Sequence, residues 1–168
     1  MPRVHALKAR KAYPDIDVAK GDMYYKWSTR MTVGKSYVSR IHRSKTPPSR
    51  SQLTSSAFYQ AIYSAFGDTK INEPQDVRDL AETVREIGQE EQSKLDNMPE
   101  GLQQGSTGEL LQERIDACET SADELDSLAD EWETAESDHE ELEGEDKENS
   151  DYDAEDFISQ VGDKEPSC

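Results

Sequence analysis

The chain has 168 residues, 33% of them apolar and 33% charged, and its 19 basic residues face 37 acidic ones, for a net charge of −18. So low an apolar fraction cannot fill a core for the whole chain once conformational entropy is counted, so we expect part of it to be disordered. No apolar run is long enough to cross a bilayer, and the first residues, MPRVHALKARKAYP, carry no export signal. We therefore expect a soluble cytoplasmic protein with no membrane partner.

The sign of the charge reverses along the chain. Residues 1–50 carry 12 basic and 3 acidic residues, residues 51–133 carry 5 and 20, and residues 134–168 carry 2 and 14. These segments also differ in aromatic content and periodicity, so they predict a basic N-terminal unit, a helical body and an acidic tail. A basic arm on an acidic body indicates a polyanionic partner, a basic partner, or mutual neutralisation of the two ends.

The basic unit is predicted to contain a β-hairpin. Residues 23–31 and 36–42 alternate in polarity and are rich in aromatic and β-branched types, with Gly34 available for the turn between them. The stretch 4–13 before the hairpin is expected to be a short basic helix or an irregular arm. A hairpin alone is marginal in water, so we expect it to pack on the following helix through an apolar face of Met23, Tyr25, Trp27 and Met31.

The other side of the hairpin suits a nucleic acid. Cations can meet phosphates, rings can stack on bases, and a two-stranded ribbon can enter a major groove. The candidate binding residues are Lys26, Arg30, Lys35, Arg40, Arg43 and Lys45, with Tyr24, Trp27 and Tyr37 as stacking groups. The alternative is an ordinary solvated cationic face above a small aromatic core.

Three helices are predicted in the body, at about 53–66, 74–95 and 107–133. Proline is favoured at the first helical position, where Pro74 stands. Ser106 and Glu109 have the spacing of a capping box, which predicts that the last helix begins near residue 107.

The last helix carries a heptad pattern typical of a coiled coil. Its apolar positions, which we call the seam, are Leu111, Ile115, Cys118, Ala122, Leu125, Ala129 and Trp132. The seam needs a partner, and we expect the second helix to supply it as an antiparallel hairpin within the chain, with a homodimer as the alternative. Cys118 lies on the seam and is interpreted as a small buried hydrophobe.

The acidic helices offer an alternative function. So many carboxylates could imitate the phosphates of DNA or bind a basic host or phage protein, which would make the chain an inhibitory interaction module. Residues 134–168 are predicted to be a disordered acidic tail whose last apolar residues could dock as a short segment, including onto the chain's own basic hairpin.

No catalytic chemistry is indicated. The chain contains none of the phosphate-binding, dinucleotide-binding, zinc-protease or EF-hand motifs, and its histidines, at 5, 42 and 139, are too scattered to suggest a metal site or an acid–base pair. We therefore expect a protein that is not an enzyme and has no catalytic residues, no metal and no cofactor.

Several strings resemble an uncharacterised family of small proteins from tailed phages and bacteria. They are GDMYYKW, GKSY, RSKTPPSRSQLT, LDNMPEGLQ and TGELLQERIDACE, which together span about residues 5–128. The resemblance implies a phage-type origin, and hence the cytoplasm of a bacterial host, together with a basic hairpin joined to a helical pair. It brings no established activity and no site residues. The sequence thus predicts an α+β, non-enzymatic phage accessory protein that binds nucleic acid through its basic hairpin.

Overall fold

The computed structural model describes residues 2–33, 36–142 and 152–167, with the backbone alone at 31–33. The α+β prediction is confirmed, since a three-stranded antiparallel sheet precedes a mostly helical chain. The chain divides into two compact units, 1–67 and 68–168, rather than into the three predicted segments. Because residues 51–67 carry no charge, this boundary separates a unit of net charge +9 from one with 7 basic and 34 acidic residues.

The sheet has the order β1 (His5–Lys8), β2 (Met23–Val33), β3 (Ser36–Ser44). The predicted hairpin of β2 and β3 is confirmed. Strand β1 differs from the helix or irregular arm expected at 4–13, because pairing with residues 23–26 of β2 fixes a segment whose own signal is weak. All four side chains of β1 are exposed, so no buried alternation marked it in the sequence.

One small core lies where the loop before β2 folds back. A turn of 3₁₀ helix at Pro14–Ile16 ends in Asp17, whose φ of 51° is left-handed, and this reversal lets Tyr13 and Val18 exchange backbone hydrogen bonds of 2.8 and 3.1 Å. Ala9, Val18 and Tyr24 are buried there, with Tyr13 and Ile16 packed against them.

Helix α1 (Ala57–Asp68) begins later than predicted, because Ser51–Leu53 forms a separate 3₁₀ turn. The segment before the helix is tied to it by side chains. Gln60 donates from its amide to the carbonyl of Thr54 at 2.8 Å, and the Arg50 guanidinium lies 4.3 Å from the Tyr63 ring centre. These contacts explain why α1 belongs to the same unit as the sheet and not to the helical body.

The second unit is an antiparallel pair of helices, α2 (Pro74–Asp96) and α4 (Ser106–Glu141). The intrachain hairpin that we favoured is therefore confirmed. Pro74 is the first residue of α2, as predicted, and a capping box between Glu73 and Asp76 satisfies the amides there. Arg78 bonds Asp130 near one end of the pair, and Glu91 bonds Arg114 near the other.

The seam faces α2. Leu111, Cys118, Ala122, Leu125, Ala129 and Trp132 are buried and Ile115 is half-buried. The helices approach closely at Gly88, where an added Cβ would lie 3.0 Å from the Cβ of Cys118. Cys118 is 1% exposed, which agrees with its interpretation as a buried hydrophobe. The pair also buries a charge that the sequence reading missed, since Glu91 is 2% exposed and accepts from Arg114 at 3.1 Å and from Lys94.

The connector between the long helices is more regular than predicted. It contains a single turn, α3 (Glu100–Gln103), and the Gln103 amide donates to the carbonyls of Leu95 and Met98 at 3.1 and 2.8 Å. The predicted capping box of α4 is wrong. Gly105 is the N-cap, Ser106 is already helical, and no side chain caps this end. The helix also extends to Glu141 instead of ending near residue 133.

The end of the chain differs from the disordered tail predicted for 134–168. Besides the longer α4, a short helix α5 (Ala154–Val161) packs on α4, with the Phe157 ring stacked on Trp132 at 5.7 Å. The indole N–H of Trp132 donates to the Tyr152 hydroxyl at 3.1 Å, and Ser121 donates to the carbonyl of Lys164. Apolar tail residues thus pack on α4. The residues at 143–151 lie outside the described part.

Within the described ranges, no helix combines the length and the apolar character needed to cross a membrane.

Gly108 lies in the first turn of α4, and the backbone of the preceding connector leaves no room there for a side chain. A Cβ at Gly108 would lie 1.9 Å from the carbonyl oxygen of Gln103, a backbone atom that cannot simply rotate away. We expect Gly108→Ala to lower the free energy of unfolding by about 1–3 kcal/mol in urea melts of the helical signal. Gly101→Ala is the control, because a Cβ there has nothing within 4 Å, and it should be neutral or slightly stabilising. Equal stability of the two variants would contradict this role of Gly108.

Because α5 packs on Trp132, the fluorescence of this indole reports whether α5 is docked. Phe157→Ala removes the ring stacked on the indole, so we expect a red-shifted tryptophan emission, easier quenching by acrylamide and a loss of about 1 kcal/mol. Trp27 contributes the same background to both spectra. Ile158→Ala, at a side chain that is 37% exposed, should change little. An unchanged emission in Phe157→Ala would show that α5 does not cover Trp132.

Candidate nucleic-acid interface

The register of the sheet sorts the candidate residues onto two faces. Lys26 pairs with Arg43 and Arg30 with Ser39, whereas Thr29 pairs with Arg40. Opposed residues of an antiparallel pair share a face, and neighbours along a strand alternate between faces. We call the side with Lys26, Arg30 and Arg43 the open face and the side with Trp27 and Arg40 the covered face. The expectation that Arg40 shares a face with Lys26 and Arg30 is therefore wrong. Arg40 pairs with Thr29, and Thr29 points to the opposite face from its neighbour Arg30.

The open face carries a row of basic residues across all three strands. His5 of β1 pairs with Lys26 of β2, which pairs with Arg43 of β3, and Arg30 lies further along β2. Like charges opposed in a sheet destabilise it, and no carboxylate stands in this row. His5 was not among the predicted residues. His5 joins this row only because β1 pairs with β2, and the sequence alone did not predict that strand.

One predicted stacking ring is free on the open face and another is not. Tyr37 is 80% exposed near the end of the hairpin, in the position predicted for base stacking. Tyr24 is 7% exposed, with its ring 5.2 Å from that of Tyr13. A hydrogen bond with Tyr13, then burial, raises the pKa of the Tyr24 hydroxyl. Tyr24 is thus a core residue in this structure.

Trp27 is also a core residue, on the covered face. It is 4% exposed, stacks on His42 at 5.4 Å, and donates its indole N–H to the carbonyl of Gln52 at 3.0 Å. The Thr29 hydroxyl lies 2.8 Å from Nε2 of His42, which fixes the imidazole against the indole. Of the predicted apolar face, Met23 does not pack, because its side chain is 55% exposed. The side chain of Met31 lies outside the described part.

The remaining predicted cations have different surroundings. The Arg43 guanidinium lies 5.3 Å from the centre of the Tyr13 ring. Lys45 bonds Asp17 at 2.9 Å, and both side chains are largely exposed. Lys35 lies outside the described residues. By contrast, Lys26, Arg30 and Arg40 make no ion pair with any residue that the structure describes.

Two basic grooves lie beside the hairpin. One is lined by Arg3 and by His5, Lys26 and Arg30 of the open face, and the other by Arg40 and His42 of the covered face together with Arg43 and Lys45. Neither lining includes an aspartate or a glutamate among the described residues. The remaining lining is largely hydroxyl, amide and aliphatic, so both grooves present hydrogen-bond donors and positive charge to whatever enters them.

The basic residues of the helical unit are held differently. Arg78 is shared by Asp130 and Glu133, and Arg85 bonds Asp123 and Asp126 at 2.9 and 2.6 Å. The hydrogen bonds that the two guanidinium groups donate to these carboxylates raise the pKa of both arginines. In this unit Arg78 and Arg85 are thus paired with the chain's own acids, whereas Lys26, Arg30 and Arg40 of the sheet pair with none that the structure describes.

Comparisons with protein-family models, with curated proteins and with solved structures gave no match. The likeness to phage and bacterial proteins thus stays an expectation from the sequence. In the part of the chain that the structure describes, no histidine, cysteine, aspartate and glutamate side chains group so as to hold a metal ion.

Lys45 should control the titration of Asp17. Its hydrogen bond and charge hold the pKa of the Asp17 carboxyl below the ordinary value, so their contact is present above that ordinary pKa and is lost as the pH falls through the lowered one. We expect Lys45→Met to return the pKa of Asp17 upward, as measured by carboxyl NMR titration. Lys20→Met, at an exposed lysine of the same unit, is the charge-matched control. An Asp17 pKa that is equally raised by both would argue against a specific pair.

Proposed function

We propose that the protein binds nucleic acid through the basic N-terminal sheet and has no enzymatic activity. The observation that supports this most is the pair of grooves lined by cations without a described carboxylate. Within the first unit, Lys26, Arg30 and Arg40 pair with none of the described acids. Phosphates supply the missing negative charge, and binding releases their counterions.

The number of available cations sets the expected salt dependence. Lys45 is engaged with Asp17, so Lys26, Arg30, Arg40 and Arg43 are the side chains of the predicted set best placed to meet phosphates. Each neutralised phosphate of duplex DNA contributes about −0.9 to the slope of log affinity against log salt, so four contacts give a slope of about −3.6. Because counterion release drives this binding, we expect the affinity to weaken steeply as salt rises.

A second function is favoured by one observation. Glu82, Glu86 and Glu90 are exposed and form a row along α2, although like charges four residues apart destabilise a helix. Such a row could receive a basic host or phage protein, which is the interaction-module alternative. It would leave the grooves of the sheet without a role.

Fluorescence anisotropy with labelled oligonucleotides separates the two functions. We expect Lys26→Ala/Arg30→Ala to weaken nucleic-acid affinity at least tenfold and to flatten the salt slope by about two contacts. Glu82→Gln/Glu86→Gln should leave the affinity unchanged or raise it slightly, and Lys70→Ala is the control for loss of one exposed charge from the helical unit.

Two results would contradict the nucleic-acid proposal. If the protein binds neither duplexes nor single strands in dilute buffer, the nucleic-acid proposal is wrong. If the Glu82→Gln/Glu86→Gln variant alone loses affinity for a basic partner protein while the lysine and arginine variants keep it, the interaction module takes its place.

A further inference from the structure

Beyond β1 the hairpin continues as a two-stranded ribbon. Strand β1 pairs only with residues 23–26, whereas β2 and β3 remain paired as far as Val33 and Ser36. At about 3.3 Å per residue, residues 27–33 of β2 extend roughly 23 Å past the last pair with β1. In β3, all the side chains from Ser36 to Ile41 are exposed, so the far half of this strand is solvated on both faces.

The exposed ribbon carries side chains that an ordinary solvated hairpin would not require. Tyr37 is 80% exposed, Ile41 52% and Val38 46%, and they stand on both faces. Arg30 and Arg40 lie one strand position apart along the ribbon but on opposite faces, each beside one of the two basic grooves. A ligand that enters both grooves at once would contact both faces of the ribbon.

We propose that the nucleic acid is duplex DNA and that the ribbon inserts into its major groove, an inference that rests on the proposed function. Two strands lie about 4.8 Å apart, and with their side chains such a ribbon fits a major groove about 12 Å wide. Inside the groove, the two faces of the ribbon look toward the two phosphate backbones. Arg30 and Arg40 then reach opposite strands, with Tyr37 on the face of Arg30 and Val38 on the face of Arg40.

The other nucleic acids fit this geometry less well. Binding of single strands relies on several rings that stack on successive bases, but Tyr24 and Trp27 are buried, which leaves Tyr37 as the exposed ring of the predicted set. Double-stranded RNA has a deep, narrow major groove that side chains cannot read. DNA over RNA, and duplex over single strand, are therefore the two preferences that the ribbon predicts.

Four labelled ligands of one sequence test the class: duplex DNA, each of its single strands, and the matching RNA duplex. We expect duplex DNA to bind at least tenfold tighter than the others. Methyl green, which occupies the major groove, should displace the protein, whereas the minor-groove ligand netropsin should not.

Three variants test the ribbon itself. Arg30→Ala and Arg40→Ala should each weaken duplex binding at least fivefold, although they stand on opposite faces. Lys20→Ala removes the same charge from an exposed loop outside the strands and should cost less than about threefold. Because these side chains are exposed, unchanged circular dichroism is expected for all three.

The outcomes are distinguishable from those of the proposed function. Equal or tighter binding of single strands or RNA, displacement by netropsin alone, or a loss in Arg30→Ala but not in Arg40→Ala would overturn the major-groove inference while nucleic-acid binding itself stands. Absence of binding to all four ligands would overturn both.

Discussion

The register between α2 and α4 is the constraint on which the helical unit depends. Gly88 against Cys118 allows the helices to touch, and Gln103 against Gly108 closes the connector. The buried Glu91–Arg114 pair fixes the same register electrostatically, because a slip of one turn would separate the two and leave Glu91 with only Lys94 of its own helix. A polar contact of this kind costs desolvation energy but specifies a single alignment, in the way that isolated polar residues specify register in coiled coils.

The same pair explains how a unit so rich in acids stays folded. Arg78 and Arg85 each bridge two carboxylates of α4, at positions one heptad apart on α2. Exposed ion pairs contribute little singly, yet here each arginine also relieves the repulsion between neighbouring acids on one helix. Arg78 and Arg85 are thus engaged within this unit, as are Lys94 and Arg114 through Glu91. Lys26, Arg30 and Arg40 of the sheet, by contrast, pair with no acid that the structure describes.

Helices with a regular spacing of apolar residues could be predicted from the sequence. Elements that form only by contact with a distant part of the chain could not. The seam of α4 and the start of α2 at Pro74 follow from heptad spacing and from the missing amide of proline. Glu91 was recoverable too, since it continues the spacing of Val84 and Ile87, but its charge obscured a buried position. Strand β1 and the docking of α5 depend on partners distant in sequence, so neither has a local signal. In the candidate interface, the cations and the packing of Trp27 on the apolar face were readable, but burial of Tyr24 was not, because it depends on a loop that folds back over the other face.

Burial of Cys118 beneath Gly88 has a consequence for how the helical hairpin can be observed. A thiol that is 1% exposed and enclosed by two helices can meet an alkylating reagent only when the helices separate. The rate at which Cys118 is alkylated therefore measures how often the two helices separate. Slow reaction under conditions that leave the sheet intact would give the opening free energy of this unit alone, apart from the stability of its neighbour.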